Sequence, residues 1–182
     1  MHGLSQREIC RPMLRRIAMI SQFTGTHRFL SNFWYVDIIY NNIVYRTVEH
    51  FFQAMKTLVE EERIAIANAP RPGIAKKMSS KKGYIMPDGS LFKITLRPDW
   101  EEIKQAVMLL GLRKKFNHPE LASKLIYTYP QTLQEGNWWG DEYWGVNLRT
   151  GVGENHLGKL LEIVRLFLLN NVPLLQDPDP IL

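Results

Sequence analysis

Four residues of this sequence have side chains and settings suited to chemistry on a flat, polar, sugar-bearing ligand: Glu49, Trp100, Asp141 and Trp144. Glu49 follows Thr47 at the head of a run striped with apolar residues, Trp100 follows Asp99 at another such head, and Asp141 and Trp144 lie in an aromatic, glycine-rich stretch at 136–158. Two carboxylates and two indoles near element ends match the needs of N-glycoside hydrolysis. A nucleobase-like leaving group stacks on an indole while the ribose carbon gains oxocarbenium character. One carboxylate stabilises that cation and activates water; the other grips ribose hydroxyls or assists the leaving group. Each residue also has a plainer reading. Glu49 is the kind of side chain a helix dipole draws into its first turn, Trp100 fits as the first core residue of a helix, and the tryptophan-rich stretch fits an aromatic corner.

The elements that must position these residues are legible in order. Residues 34–40 and 43–45 are β-rich runs separated by Asn41-Asn42, which predicts a hairpin with a two-residue turn, because Asn tolerates positive φ. The apolar spacing of Val48, Phe51, Phe52, Met55, Leu58 and Val59 predicts a helix over 47–69 with Thr47 as its N-cap, and Glu49, Gln53 and Lys56 then share a second face. Pro70 and Pro72 end it, a short helix follows at 73–78, and Pro87-Asp88-Gly89 turns a second small hairpin. Asp99 and Glu102 have capping-box spacing for a helix running to about residue 116, and Pro119 opens a short helix through 127. Asn155 is placed to cap a last helix over 156–169. The fold class this predicts is α+β: one helix-rich domain with small antiparallel β-hairpins.

Composition bounds the function. At 182 residues the chain suits one domain, and 45% apolar with 23% charged residues is the balance of a soluble globular protein. The only cysteine is Cys10, and the five histidines have no zinc-ligand spacing, so neither metal nor cofactor is expected and a reducing, cytoplasmic compartment is. The formal charge of +5 favours anionic partners, but Arg7, Arg11, Arg15 and Arg16 supply much of it, which leaves a mildly basic body suited to a phosphorylated small molecule. Residues 1–22 read as a basic N-terminal arm, 23–169 as the domain and 170–182, with three prolines after Asn170, as an exposed tail. Lys76, Lys77, Lys81 and Lys82 read first as a solvated face and second as a phosphate-facing patch.

The motifs RFLSNF (28–33), VEHFFQAMK (48–56), LRPDWEEIKQAVM (96–108), KKF (114–116), EGNWWGDEYWG (135–145) and GENHLGKLLEIVR (153–165) stand in collinear order, and over roughly 23–169 the chain resembles the YbiA-like or NADAR family. The resemblance implies an N-glycosidase acting on a phosphorylated ribosyl substrate, either a ribosylaminopyrimidine phosphate of the riboflavin pathway or ADP-ribosylated guanine. ADP-ribosylated nucleic acid is then a further partner. It implies Glu49 and Asp141 as the catalytic carboxylates and Trp100 and Trp144 as pocket walls. Arg28, Asn32, Gln53, Lys56 and Asn155, within the same motifs, complete the expected substrate-binding set. Two positions depart from the pattern: Ser79-Ser80-Lys81 replaces a Gly-Arg pair, and Glu154 replaces a lysine, both bearing on how a phosphate is held. Rival readings are a non-catalytic ADP-ribose or nucleotide-binding module, and a nucleic-acid binder working through the basic arm.

Overall fold

The computed structural model describes residues 18–175. Its organising element is a buried helix that Thr47 starts. Thr47 is extended (φ −153°, ψ 162°) and its Oγ1 accepts the His50 N–H at 3.2 Å, opening α1 (Val48–Ala54). Just before it, Asn41 and Asn42 adopt φ of 48° and 60° and turn β2 (Ile38–Tyr40) into antiparallel β3 (Ile43–Tyr45), as the two asparagines predict. All seven residues of α1 are buried, including Glu49, His50 and Gln53. Three polar groups on a helix with no solvated face must find partners or a cavity. His50 finds partners: Nδ1 meets Thr47 Oγ1 at 2.8 Å and Nε2 meets the Ala69 carbonyl at 3.1 Å, and burial keeps its pKa below the usual imidazole range. Glu49 and Gln53 face a cavity instead.

The run 47–69 is two helices rather than one. A turn at 55–59 separates α1 from α2 (Glu60–Ala67), and at its centre Thr57 bridges to Leu96. The Thr57 hydroxyl takes the Val59 N–H and donates to Glu62, while its carbonyl accepts from buried Arg63 Nε at 2.8 Å. These side-chain bonds satisfy the backbone that a continuous helix would have paired with itself. Three glutamates, Glu60 to Glu62, then open α2 where the dipole favours them.

Arg71 and Pro72 start α3 (Pro72–Met78), and β4 (Tyr84–Ile85) pairs antiparallel with β5 (Leu91–Phe92) around Gly89. Helix α4 (Trp100–Phe116) begins after Asp99, but not as a capping box. The Asp99 carboxylate makes no cap bond and is held bidentate by Arg97 at 2.7 and 2.9 Å. Along α4, Gly111 lets α1 approach, since a Cβ there would stand 2.9 Å from the Phe51 ring. That ring packs edge-on to Tyr40 and Tyr45 at 5.5 Å each, the kind of buried aromatic whose truncation costs about 3–5 kcal/mol. Helix α5 (Pro119–Ile126) leads to β6 (Thr132–Leu133), and α6 (His156–Leu169) closes the core against α4.

Among the described residues the strands form four two-stranded pairs, and two of these are the antiparallel hairpins expected. Strand β1 (Met19–Ile20) runs parallel to β6, and β7 (Gly136–Asn137) parallel to β8 (Val146–Asn147). The first pairing corrects the domain boundary: residues 18–22, read as part of an arm, belong to the folded body, with Ile20 in the core and the Ser21 carbonyl accepting from Gly136 N–H. The tail is likewise not wholly exposed, because Leu174 is buried against the core. Residues 1–17, with Cys10 and the arginine cluster, and 176–182 lie outside the described residues. Among the described residues no helix is long and apolar enough to cross a membrane.

Candidate active site

Glu49 and Gln53 of α1 open into a cavity of about 530 Å³. Its walls come from α1 and Lys56 just beyond it, from the loop carrying Ser31, Asn32 and Phe33, and from the aromatic stretch that supplies Glu135, Trp139, Asp141 and Trp144. Segments distant in sequence are thereby brought to one space. Glu49 is only 6% exposed, and its backbone N–H donates to the Asn32 carbonyl at 3.0 Å, tying the two walls together.

The Glu49 carboxylate is oriented by a short relay. Gln53 Nε2 donates to Glu49 Oε1 at 2.8 Å, and the Ser79 hydroxyl donates to Gln53 Oε1. Ser79, part of one of the two departures from the family pattern, thus bonds to Gln53 and is not among the residues lining the cavity. Glu154, the other, pairs with His156 Nε2 at 2.7 Å on the surface and is not a cavity residue.

A first-turn position would lower the pKa of Glu49, but burial prevails and raises it above the usual glutamate range. The Gln53 hydrogen bond and the Lys76 and Lys56 ammoniums oppose the rise, and the Asp141 charge adds to it. A desolvated carboxylate of this kind is a stronger base than an exposed one.

Asp141 is held by its neighbours. Buried Asn137 accepts from the Asp141 N–H at 2.9 Å and donates to its carbonyl at 2.7 Å, while Asp141 Oδ1 accepts the Trp144 N–H at 2.9 Å. The loop can be this tight because of Gly145, where a Cβ would lie 2.2 Å from the Glu135 carbonyl. Trp144 leans edge-on against Phe52 at 5.3 Å, which orients its indole at the cavity wall.

Of the other expected site residues, Asn32, Gln53 and Lys56 line the cavity. Asn32 Nδ2 donates to the Met108 sulfur at 3.4 Å, and its Oδ1 is buried with no partner among the described residues. Orphaned buried acceptors are rare and this one stands at a ligand-sized space.

Three placements differ from expectation. Trp100 is 5% exposed and packs on Phe52 at 5.0 Å, so it backs the wall rather than forming it, with Lys56 Nζ 5.8 Å from its ring. Arg28 lies in an adjoining groove. Asn155 takes φ of 55° and makes no cap bond; its amide instead clamps the chain before the aromatic loop, accepting from Glu135 N–H at 3.0 Å and donating to the Leu133 carbonyl at 2.8 Å. Both Trp100 and Asn155 position site residues without touching the cavity.

The cavity also takes in Glu135, Lys76 and Trp139, of which Glu135 and Trp139 carry no role expected from the sequence. Glu135 is a third carboxylate in the cavity wall, and burial, with the charges of Asp141 and Glu49 added and Lys76 opposing, pushes its pKa up to about 7. Lys76 is exposed, as a solvated face requires, and also borders the cavity, as the second reading of its lysine cluster has it. Trp139 does not pack as an inner residue; it is 68% exposed and stands at the rim, beside Trp138 at 56%. The signal for Glu135 was its place at the head of the aromatic motif, and for Lys76 its spacing before Ser79. Neither had a periodic pattern to mark it. Beneath the Ser31 wall, fully buried Lys115 donates to the Ser31 carbonyl at 2.8 Å, and burial pulls its pKa down to about 7. Among the described residues no group of three or more His, Cys, Asp or Glu side chains is arranged to hold a metal ion.

A family model described as the NADAR domain matches residues 18–169. The chain is 36% identical over 136 residues to the N-glycosidase YbiA of Escherichia coli (strain K12), covering 74% of this chain and 78% of that protein. It is 32% identical over 136 residues to the chloroplastic riboflavin biosynthesis protein PYRR of Zea mays, covering 70% of this chain but 20% of that one. The NMR structure of the E. coli protein YbiA superposes with a TM-score of 0.67 at 32% identity, over 86% of this chain and 91% of that one.

Proposed function

The chain belongs to the NADAR domain family, and we propose that it hydrolyses the N-glycosidic bond of a phosphorylated ribosyl substrate, such as a ribosylaminopyrimidine phosphate of the riboflavin pathway or ADP-ribosylated guanine. Relatives named as N-glycosidases carry the class of enzyme, a hydrolase of N-glycosyl bonds. The observation that carries the residue roles is the cavity itself, which gathers Glu49, Glu135 and Asp141 with Lys56, Lys76 and the Trp144 and Trp139 indoles.

The bond between C1′ and the base nitrogen breaks as C1′ gains positive charge, so the groups that accelerate it must be negative near C1′ and protic near the nitrogen. Glu49, desolvated and held by Gln53, stabilises the developing cation and takes the proton from the water whose oxygen joins C1′. Glu135, with a pKa of about 7, is substantially protonated near neutrality and supplies the proton that leaves with the base. Asp141, fixed by Asn137 and Trp144, accepts from ribose hydroxyls, as does the orphan Oδ1 of Asn32. Trp144 and Trp139 stack the leaving base, and Lys56 and Lys76 meet the phosphate. The products are the free base and the ribosyl phosphate, with water consumed and no net redox change.

The test is direct. The purified protein is incubated with ribosylaminopyrimidine phosphates, NAD, ADP-ribose and ADP-ribosylated DNA, and released base and sugar are read by mass spectrometry. Base release from a phosphorylated riboside is expected; tight ADP-ribose binding with no base released from any substrate would favour the non-catalytic module.

A further inference from the structure

The turn of the first hairpin and the start of α2 enclose a separate hollow, of about 420 Å³, that shares no lining residue with the cavity or with the groove beside Arg28. Asn41, Asn42 and Ile43 line it from the hairpin, and Leu58, Glu60 and Arg63 from the 55–59 turn and α2. No aromatic ring lines it, so nothing there stacks a base.

Arg63 is 9% exposed, and its Nε is committed to the Thr57 carbonyl at 2.8 Å. Among the described residues no hydrogen bond or ion pair takes up its two terminal nitrogens. With Nε tethered, that terminal pair is the part of the fork left for the hollow, and its end-on geometry is the one that grips a carboxylate. The fully buried Tyr45 hydroxyl also has no partner, and the charges of both Arg63 and Glu60 act on its phenol. Idle polar groups this deeply buried are rare away from ligand sites.

Glu60 stands one turn before Arg63 on α2 and lines the same hollow, yet the two do not pair. Opposite charges three residues apart on a helix ordinarily close on each other. Here they stay apart across an open space. An inorganic anion would meet Arg63 and be repelled by Glu60, and a simple cation the converse. A molecule carrying both charges on neighbouring atoms satisfies both. Exposed Leu58 and half-buried Ile43 add an apolar flank, and Asn41 and Asn42, fixed by the turn at φ of 48° and 60°, place two amides beside it.

We propose that this hollow binds a small zwitterion, an α-amino acid with an aliphatic side chain, with its carboxylate on the Arg63 fork and its ammonium on Glu60. The ligand's chain lies along Leu58 and Ile43. The site stands apart from the cavity and does not depend on the chemistry assigned there.

The test uses L-leucine as the probe, titrated into the isotope-labelled full chain while the backbone amide signals of residues 41–45 and 57–63 are followed by NMR. Saturable shifts confined to those segments are expected, with a Kd of about 1 mM. N-acetyl-L-leucine, which lacks the ammonium, and L-leucinamide, which lacks the carboxylate, should each bind about tenfold more weakly, as the loss of one charge-assisted contact implies. Arg63→Met also strips the Thr57 carbonyl of its donor, so the exposed Glu60 carries the mutational test. Glu60→Gln should cost L-leucine about tenfold in affinity and leave N-acetyl-L-leucine unchanged.

Absence of shifts in these segments overturns the proposal. So does N-acetyl-L-leucine or inorganic phosphate binding as tightly as L-leucine, because the hollow would then be a plain anion site. A Glu60→Gln protein that binds L-leucine as the parent does overturns it as well.

Discussion

Gln53 donates from Nε2 to Glu49 Oε1 at 2.8 Å, one turn along a helix that has no exposed residue. On such a helix the bond governs both where the carboxylate points and how readily it ionises. It opposes burial, which lifts the Glu49 pKa, and the Ser79 hydroxyl on the far side of the amide keeps the donor turned inward.

Gln53→Leu removes the donor at similar volume. The Glu49 pKa should rise further, so the acid limb of the kcat/KM profile, which requires ionised Glu49, moves to higher pH. A drop of about tenfold in kcat/KM at neutral pH follows from the misaligned base. Ser79→Ala should move the limb in the same direction by less, because the amide stays in place. A Gln53→Leu profile superimposable on that of the parent contradicts the relay.

Glu135 sets the opposite limb. With a pKa of about 7, it donates a proton below that value and fails above it, so kcat/KM should decline through pH 7 and Glu135→Gln should abolish that decline along with most of the rate. The sign for stability is independent of mechanism. The folded pKa lies above the unfolded one, so the unfolded chain ionises first and stability is lost as pH rises from the ordinary glutamate value through about 7. Glu135→Gln should therefore raise the melting temperature at pH 8 and leave it unchanged at pH 4, as thermal scans at the two pH values would show.

Lys115 works against stability in the other direction. Its folded pKa, about 7, is below the unfolded value, so the buried ammonium is costly at pH 6 and the cost fades as pH rises toward 10. Lys115→Met should melt higher at pH 6, by several degrees, with the gain gone at pH 10. It also frees the Ser31 carbonyl from its 2.8 Å tether at the cavity wall, so activity should fall while stability rises. A variant less stable than the parent at pH 6 contradicts this account of the lysine.

The two neighbouring tryptophans should separate cleanly. Trp139 lines the cavity and Trp138 does not. Trp139→Ala should raise KM about tenfold by loss of stacking with a smaller effect on kcat, and Trp138→Ala should leave both within twofold. Equal effects would deny Trp139 its role at the rim.

The features legible in the sequence were those governed by near neighbours. Asn41-Asn42 turned the first hairpin, Thr47 capped α1, and the stripe beginning at Trp100 ran as one helix to Phe116. What the sequence concealed depended on distant partners. The run 47–69 breaks because Thr57 meets Leu96 and Arg63 folds back on it; Asp99 is drawn from its cap by Arg97; and Asn155 spends its amide on Leu133 and Glu135. At the site, Glu49, Asp141 and Trp144 were marked by their motifs and do meet in one cavity, whereas Trp100 could only be told from a wall by seeing Phe52 in front of it. Glu135 had no pattern of its own, and Lys76 stood out only as one of four lysines, since their significance arises from which carboxylates and cations surround them.

The central claim is that Glu49 performs the chemistry, and Glu49→Gln tests it most directly, with the rate of base release from the phosphorylated riboside as the readout. The amide keeps the shape and removes a buried carboxylate whose ionised form is penalised, so the variant should fold, by circular dichroism, and melt at or above the parent temperature at pH 8. Base release should fall by about 100-fold or more. A folded Glu49→Gln protein that releases base within threefold of the parent rate would contradict the account.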